Sequence, residues 1–326
     1  MDLCRTVPSA LTVWVSVVLI ASTATAGSMV GVPTNLVTTP PFPEGLAVTP
    51  DGTLYVSLVA FAPASEILVL TPNGQTVDSI PVSAGPGGIT DLVGEAFDGH
   101  GNLFVADFAD ALVAGSCACN GRVLRITPDG DIATVASGFG FPNGLVFDAS
   151  GNLYITDSFA GEISELTPSG ALSVFVDSDL LRAPEGANPP VGANGILFTR
   201  DGRTMLVANT QAGTIVRIPI EEDGSAGAPS ILASNLLGAD GIAIDVKGNI
   251  YVAVNFQNEI AMLTPGGKLL AVFQGTGDNA LRNPASLSFL GRRLFITDLA
   301  AFIPGATPGL SVMTAPFPGA SLVPED

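Results

Sequence analysis

Residues 142–158 read Pro-Asn-Gly-Leu-Val-Phe-Asp-Ala-Ser-Gly-Asn-Leu-Tyr-Ile-Thr-Asp-Ser. A short apolar run, a Gly-bearing polar turn and a second apolar run are the pattern of a β-hairpin. The same segment recurs at 43–57, 92–108, 193–210, 239–254 and 284–299. The residue in the Asn143 slot marks each copy: Glu44, Val93, Asn143, Asn194, Asp240 and Ala285, at spacings of 49, 50, 51, 46 and 45 residues. A second recurrent segment follows each hairpin. It ends in Thr-Pro-x-Gly at residues 71–74, 127–130, 167–170 and 264–267, which suits a tight turn. A further short apolar run comes next, as in 132–137 and 172–177. Each unit therefore supplies four antiparallel strands, and no helical period competes.

Units of this length in six copies predict an all-β, six-bladed propeller of four-stranded blades. Residues 35–39 precede Phe-Pro-Glu-Gly as an outermost strand with no blade before it, and the last unit has only three strands of its own. The N-terminal strand is thus expected to complete the last blade and close the ring, which covers exposed sheet edges. The propeller is expected to span residues 27–326. Residues 1–26 have the layout of a secretory signal: Arg5, an apolar stretch over 9–22, and Ala24-Thr25-Ala26 before Gly27. A secreted or periplasmic location after cleavage near Ala26 follows. The apolar stretch is too short for stable membrane insertion. Cys4 leaves with such a leader. Cys117 and Cys119 remain, and their oxidation state is left open.

Composition narrows the function. The 326 residues hold 30 acidic against 12 basic side chains, a formal charge of -18, so phosphate backbones are repelled and nucleic acid is not an expected partner. One histidine serves the whole chain, which removes most Ser-His-Asp, Cys-His and His-zinc chemistry. That residue, His100, falls in a hairpin turn at the end of the blade away from the marker residues.

The marker slot lies just before the strand that lines a propeller's central channel. Glu44, Asn143, Asn194 and Asp240 place two carboxylates and two amides around one axis. Such hard oxygen donors suit a divalent cation, above all Ca²⁺, with Mg²⁺ and Mn²⁺ sharing the preference. The same residue pairs, each followed by Gly, also serve ordinary turns.

These repeats and the quartet resemble the regucalcin/gluconolactonase family of six-bladed propellers, relatives in fold of strictosidine synthase. The resemblance implies that Glu44, Asn194 and Asp240 hold a metal, that Asn143 completes the site, and that Asp240 is the general base for lactone opening. It also implies an Arg shortly before the first Asn. Here the stretch is Gly140-Phe141-Pro142-Asn143, so a sugar-acid substrate is in doubt. The expected function is an exported, metal-dependent hydrolase of a lactone or related ester, acting on a small molecule. A non-catalytic propeller that binds a ligand or protein, and a metal-free enzyme of the strictosidine synthase kind using Glu185, remain open beside it. Asp157, Ser158 and Asn209 at strand ends, and Arg182 and Glu185 in the long loop 178–192, are further candidates for substrate contact. The acids at strand ends also fit a purely capping role.

Overall fold

The computed structural model describes residues 31–40, 42–85, 87–112, 119–301 and 303–320. The expected leader, its cleavage point, Cys4 and Cys117 lie outside them. The described chain is an all-β propeller of antiparallel four-stranded blades. Three sheets each use four consecutive strands: Pro142–Phe147 through Leu172–Asp177, Ala193–Phe198 through Ser230–Ala233, and Ala239–Ile244 through Leu269–Phe273. A fourth joins Pro284–Leu290, Arg293–Asp298 and Gly309–Thr314 to the distant strand Thr34–Thr38, with Thr34 opposite Val312. The remaining sheet has eight strands. It contains the hairpin ladders of Pro43–Val48 with Leu54–Ala62 and of Thr90–Phe97 with Leu103–Asp107, linked where Val59 pairs with Asp91.

The hairpins turn where their sequence demands. In Asp98…Asn102, Asp148…Asn152 and Asp245…Asn249 the aspartate accepts backbone N–H groups two and four residues on, and the asparagine amide donates to its second oxygen. The residue before each Asn is a Gly at positive φ, at Gly101, Gly151 and Gly248, a backbone state that glycine adopts without a Cβ clash. In each Thr-Pro-x-Gly turn the Gly N–H donates to the Thr carbonyl three residues earlier, as Gly170 does to Thr167 at 2.9 Å. His100 lies in one of the hairpin turns with its side chain 89% exposed, beside Asp98 and far along the strand from Val93.

The core lies between sheets rather than within one. Leu206 and Ile215 from one sheet pack with Ile242, Val252 and Leu263 of the next. Outermost strands such as Leu172–Asp177 are largely exposed. Towards the axis the six strands that open the hairpins touch in sequence order, and Pro284–Leu290 in turn touches Pro43–Val48.

That inner contact is set by one repeated device. Each of these strands carries a register shift just past the marker residue, for example between Pro142 and Leu145. Such a bulge bends the strand and re-aims the side chain there. The glycine after the marker abuts the marker carbonyl of the next unit. A Cβ on Gly45 would stand 2.2 Å from the Val93 oxygen, and one on Gly94 2.1 Å from that of Asn143. The same holds for Gly144 against Asn194, Gly195 against Asp240 and Gly241 against Ala285. The recurrent glycine is therefore a packing requirement between strands, not a turn residue. Hydroxyls tie the same seam: Ser57 donates to the Val93 carbonyl, Thr156 to that of Asn194 and Thr297 to that of Glu44, at 2.7, 2.7 and 2.8 Å.

Gly94→Ala is expected to cost about 3 kcal/mol through this overpacking, read as a melting midpoint lower by roughly 5 °C or more. Gly99 has open space at its Cβ position and no positive φ, so Gly99→Ala serves as the control and stays within about 0.5 kcal/mol of the parent. Equal stability of the two variants would remove the seam from the account.

Candidate metal centre at the channel mouth

Glu44, Asn143, Asn194 and Asp240 occupy the second position of their strands, beside the bulge, and each is buried to 8% exposure or less. In ring order Asp240, Ala285 and Glu44 are consecutive, so the two acids flank a slot filled only by a methyl group. Below the markers lies a cavity of about 170 Å³ lined by all six inner strands, with Leu46, Val146, Ile196, Ile242 and Leu287 among its walls.

The residue just beyond each second strand decides how its marker is supported. Asn143 donates to the Ser158 hydroxyl at 3.3 Å, and Ser158 donates onward to the Ala193 carbonyl. Asn194 donates to Thr210 at 3.0 Å, and Thr210 to the Ala239 carbonyl at 2.8 Å. Asp240 accepts from the Asn255 amide at 3.4 Å. The apolar markers Val93 and Ala285 face apolar equivalents, Phe108 and Leu299. Glu44 alone breaks the match. Its equivalent is Val59, and its Oε2 is buried without a hydrogen-bond partner. Asn255 Oδ1 is buried and unpartnered as well.

Burial raises the affinity of these acids for protons. Asp240 is pushed up to about 8, chiefly by desolvation, against the opposing hydrogen bonds of Asn194 and Asn255. Glu44 is raised well above the usual carboxylate range by burial first, then by the charges of Asp240 and Glu95. Glu95 is a third acid, two residues past Val93 in the cavity wall. Burial pushes it up to about 8, against the opposing pull of Ser57 and the Ala47 backbone nearby.

The donor set fits a hard cation. Buried acceptors crowd together with no basic side chain among them, and a divalent ion would discharge both acids and use the idle Glu44 and Asn255 oxygens. Among the described residues no group of three or more His, Cys, Asp or Glu comes together, so amide oxygens must complete any coordination here.

The other sequence candidates have different tasks. Asp157 accepts from the backbone N–H groups of Gly140, Phe141, Phe159 and Ala160, and so caps the strand end rather than facing a ligand. Asn209 donates to the carbonyls of Leu180 and Arg182 and pins the loop 178–192. Arg182 is exposed and paired with Asp177 and Asp179. Glu185 is exposed on that loop. Ser158 remains at the site, as a partner of Asn143. Thr210, which follows the candidate Asn209 and shares its reading as a ligand contact, is instead the partner of Asn194, while Asn255 does not stand out in the sequence although it too lies one residue beyond a strand end. Glu95 was also passed over, although a lone acid in Leu-Val-Gly-Glu-Ala-Phe (92–97) interrupts an apolar run.

Residues 167–299 match the family model described as SMP-30/Gluconolactonase/LRE-like region. Over that stretch, about two fifths of its length, the chain is similar to this family, and its fold is a propeller of the same kind. Lactonase drp35 of Staphylococcus epidermidis is 30% identical over 128 residues, 38% of either chain, so the likeness spans well under half of that relative's length. A gluconolactonase structure from Xanthomonas campestris superposes with a TM-score of 0.65 at 19% identity, covering 87% of this chain and 89% of its own. The calcium-binding protein regucalcin of Agrobacterium tumefaciens gives a TM-score of 0.63 at 15% identity, with 89% and 95% covered. At these identities the two structures establish the fold.

The acids predict how the metal-free form responds to pH. Asp240 holds its proton more tightly folded than unfolded, so its burial penalty is full above pH 8 and fades as the pH falls towards the ordinary range near 4. In chelator at pH 8.5, Asp240→Asn should melt about 5 °C or more above the parent, and the gap should shrink steadily as the pH falls and close near pH 4. A gap that is constant with pH would show that Asp240 is not the titrating group.

Proposed function

We propose that the protein is a metal-dependent hydrolase of lactones or related esters, with its reaction centre at the channel mouth. The observation that carries this reading is the unpartnered, buried oxygen of Glu44 beside a second buried acid, Asp240. No described residue donates to it, and a divalent cation is the group whose chemistry it fits. Glu44, Asn143, Asn194 and Asp240 hold the cation, and Ca²⁺ is its expected identity from an all-oxygen donor set. The regucalcin likeness supports this, since that protein is described as calcium-binding. The relatives described as a lactonase and a gluconolactonase support the reaction class.

The ring behind this reading has six blades. The eight-stranded sheet comprises two blades bridged at Val59 and Asp91, and the pairing of Thr34–Thr38 with Gly309–Thr314 closes the circle. Export follows from the signal layout of residues 1–26, in keeping with a described chain in which no helix is long and apolar enough to cross a membrane.

When bound, the cation supplies Lewis-acid polarisation of the substrate carbonyl and stabilises the developing oxyanion. Asp240 orients the attacking water and takes its proton. Asn255 fixes the Asp240 carboxylate, while Ser158 and Thr210 fix the two amides, so the donors are organised before substrate arrives.

Metal analysis of the purified protein should find close to one equivalent of Ca²⁺. Chelation should abolish hydrolysis of a lactone and aryl-ester panel, with recovery on adding Ca²⁺ back. Asp240→Ala should lower kcat by about 100-fold or more. Turnover that survives both treatments would overturn the proposal.

A further inference from the structure

An aromatic strip runs along the rim on one side of the proposed centre. Phe42 stands two residues before Glu44 and meets Phe61 edge-on, with ring centroids 5.8 Å apart. Phe141 stands two residues before Asn143, stacks on Phe108 at 4.3 Å and touches Phe159 at 5.1 Å. Val93, the apolar marker between Glu44 and Asn143, joins both groups in one cluster. Phe108 and Phe141 are buried, Phe42 and Phe159 are half-buried, and Phe61 is 44% exposed. On the other side of Asp240, Phe256 is 41% exposed and follows Asn255, the residue that donates to Asp240. The rim thus carries partly exposed rings at Phe61, near Glu44 in the chain, and at Phe256, next to the Asp240 partner Asn255.

The basic side chains nearest to it are engaged elsewhere. Arg122 is paired with Asp107 at 2.8 Å, its guanidinium mostly buried. Arg182 is paired with two aspartates, and Arg282 donates to the Asp278 carbonyl. The residues leading up to Asn143 are Gly140, Phe141 and Pro142, without a cation. A sugar lactone is neutral, so its disadvantage here is polarity: its hydroxyls would lie against the rings of Phe42, Phe61 and Phe159, which offer them no hydrogen-bond partner.

We propose that the mouth selects neutral lactones or esters carrying an alkyl or aryl substituent, which lies on the strip formed by Phe42, Phe61 and Phe159 while the carbonyl faces Glu44 and Asp240. This rests on the hydrolase reading for the carbonyl end. The strip is continuous with the candidate centre, and rings with one face open can cover an apolar group at little conformational cost. Phe61 is a specificity residue here rather than a catalytic one. Its N–H, with that of Ala60, donates to the buried Asp91, which fixes the ring's position.

The test is a homologous series of γ-lactones, from γ-butyrolactone to γ-decalactone, with glucono-δ-lactone beside it. On the calcium-loaded full chain, kcat/KM should rise by about 10- to 100-fold along the series, and gluconolactone should be a poor substrate. Phe61→Ala and Phe159→Ala should each reduce the decalactone-to-butyrolactone ratio by about 10-fold, mainly through KM, and Phe61→Leu should restore most of it. A flat series, a preference for gluconolactone, or a ratio unmoved by both alanine variants would overturn the proposal. Should no lactone be turned over, the hydrolase reading fails by itself and calorimetry decides for the strip. Tighter binding of γ-decalactone than of γ-butyrolactone, lost in Phe61→Ala, upholds it, and equal binding refutes it. A parent that sediments as a dimer and becomes monomeric on Phe61→Ala would make the strip a protein interface, which also refutes the proposal.

Discussion

Everything at the axis depends on how closely neighbouring inner strands approach. At five of the six contacts the marker carbonyl of one strand occupies the space that a Cβ of the preceding strand would need, so the seam there requires glycine, while Ser286 takes the place in the sixth. The bulge beside it turns the marker side chain out of the strand's ordinary alternation. One constraint thereby produces both the tight inner ring and a circle of side chains at its mouth. Where the circle is to be apolar, Val93 and Ala285 continue the packing. Where it carries oxygen, the residue at the next strand end supplies a hydroxyl or amide to hold it.

The electrostatics of that circle are unfavourable as the protein chain alone builds them. Two acids are buried there, the charge of Asp240 adding to the proton affinity of Glu44, and a third lies in the wall beneath. Folding must desolvate all three, a cost recovered only by protonation or by a cation. Val59 sharpens the case, because a hydroxyl or amide there would have satisfied Glu44 internally. The acidic composition first served to exclude polyanions; at the mouth it becomes a local demand for positive charge.

Much of this was legible in the sequence. The 45- to 51-residue period marked the hairpins, and their Asp-x-x-Gly-Asn and Thr-Pro-x-Gly turns announced the strand limits, because turn chemistry is local. The quartet was legible because it interrupts the repeat at equivalent positions. The role of the following glycine was not, since a residue that avoids a clash with the next unit looks the same in sequence as one that makes a turn. Asp157 and Asn209 were equally ambiguous: a carboxylate or amide at a strand end suits a ligand or a cap, and only the count of backbone N–H groups aimed at Asp157 resolves it. Glu95 escaped notice because burial, not residue type, makes it unusual. Ser158, Thr210 and Asn255 acquire meaning only once strand register sets them beside their markers.

The pairing of Thr34–Thr38 with Gly309–Thr314 has a bearing on how the chain is made. It is a contact between residues such as Thr34 and Val312, separated by 278 positions. Most other ladders join strands adjacent in sequence and can form as soon as their hairpins emerge. This one must wait for almost the whole polypeptide, and closing so long a loop is slow. Until then two sheet edges stay open to foreign strands. The N-terminal strand meets this interval with a polar, exposed pattern, Thr-Asn-Leu-Val-Thr, which gives a stray partner little apolar surface to hold.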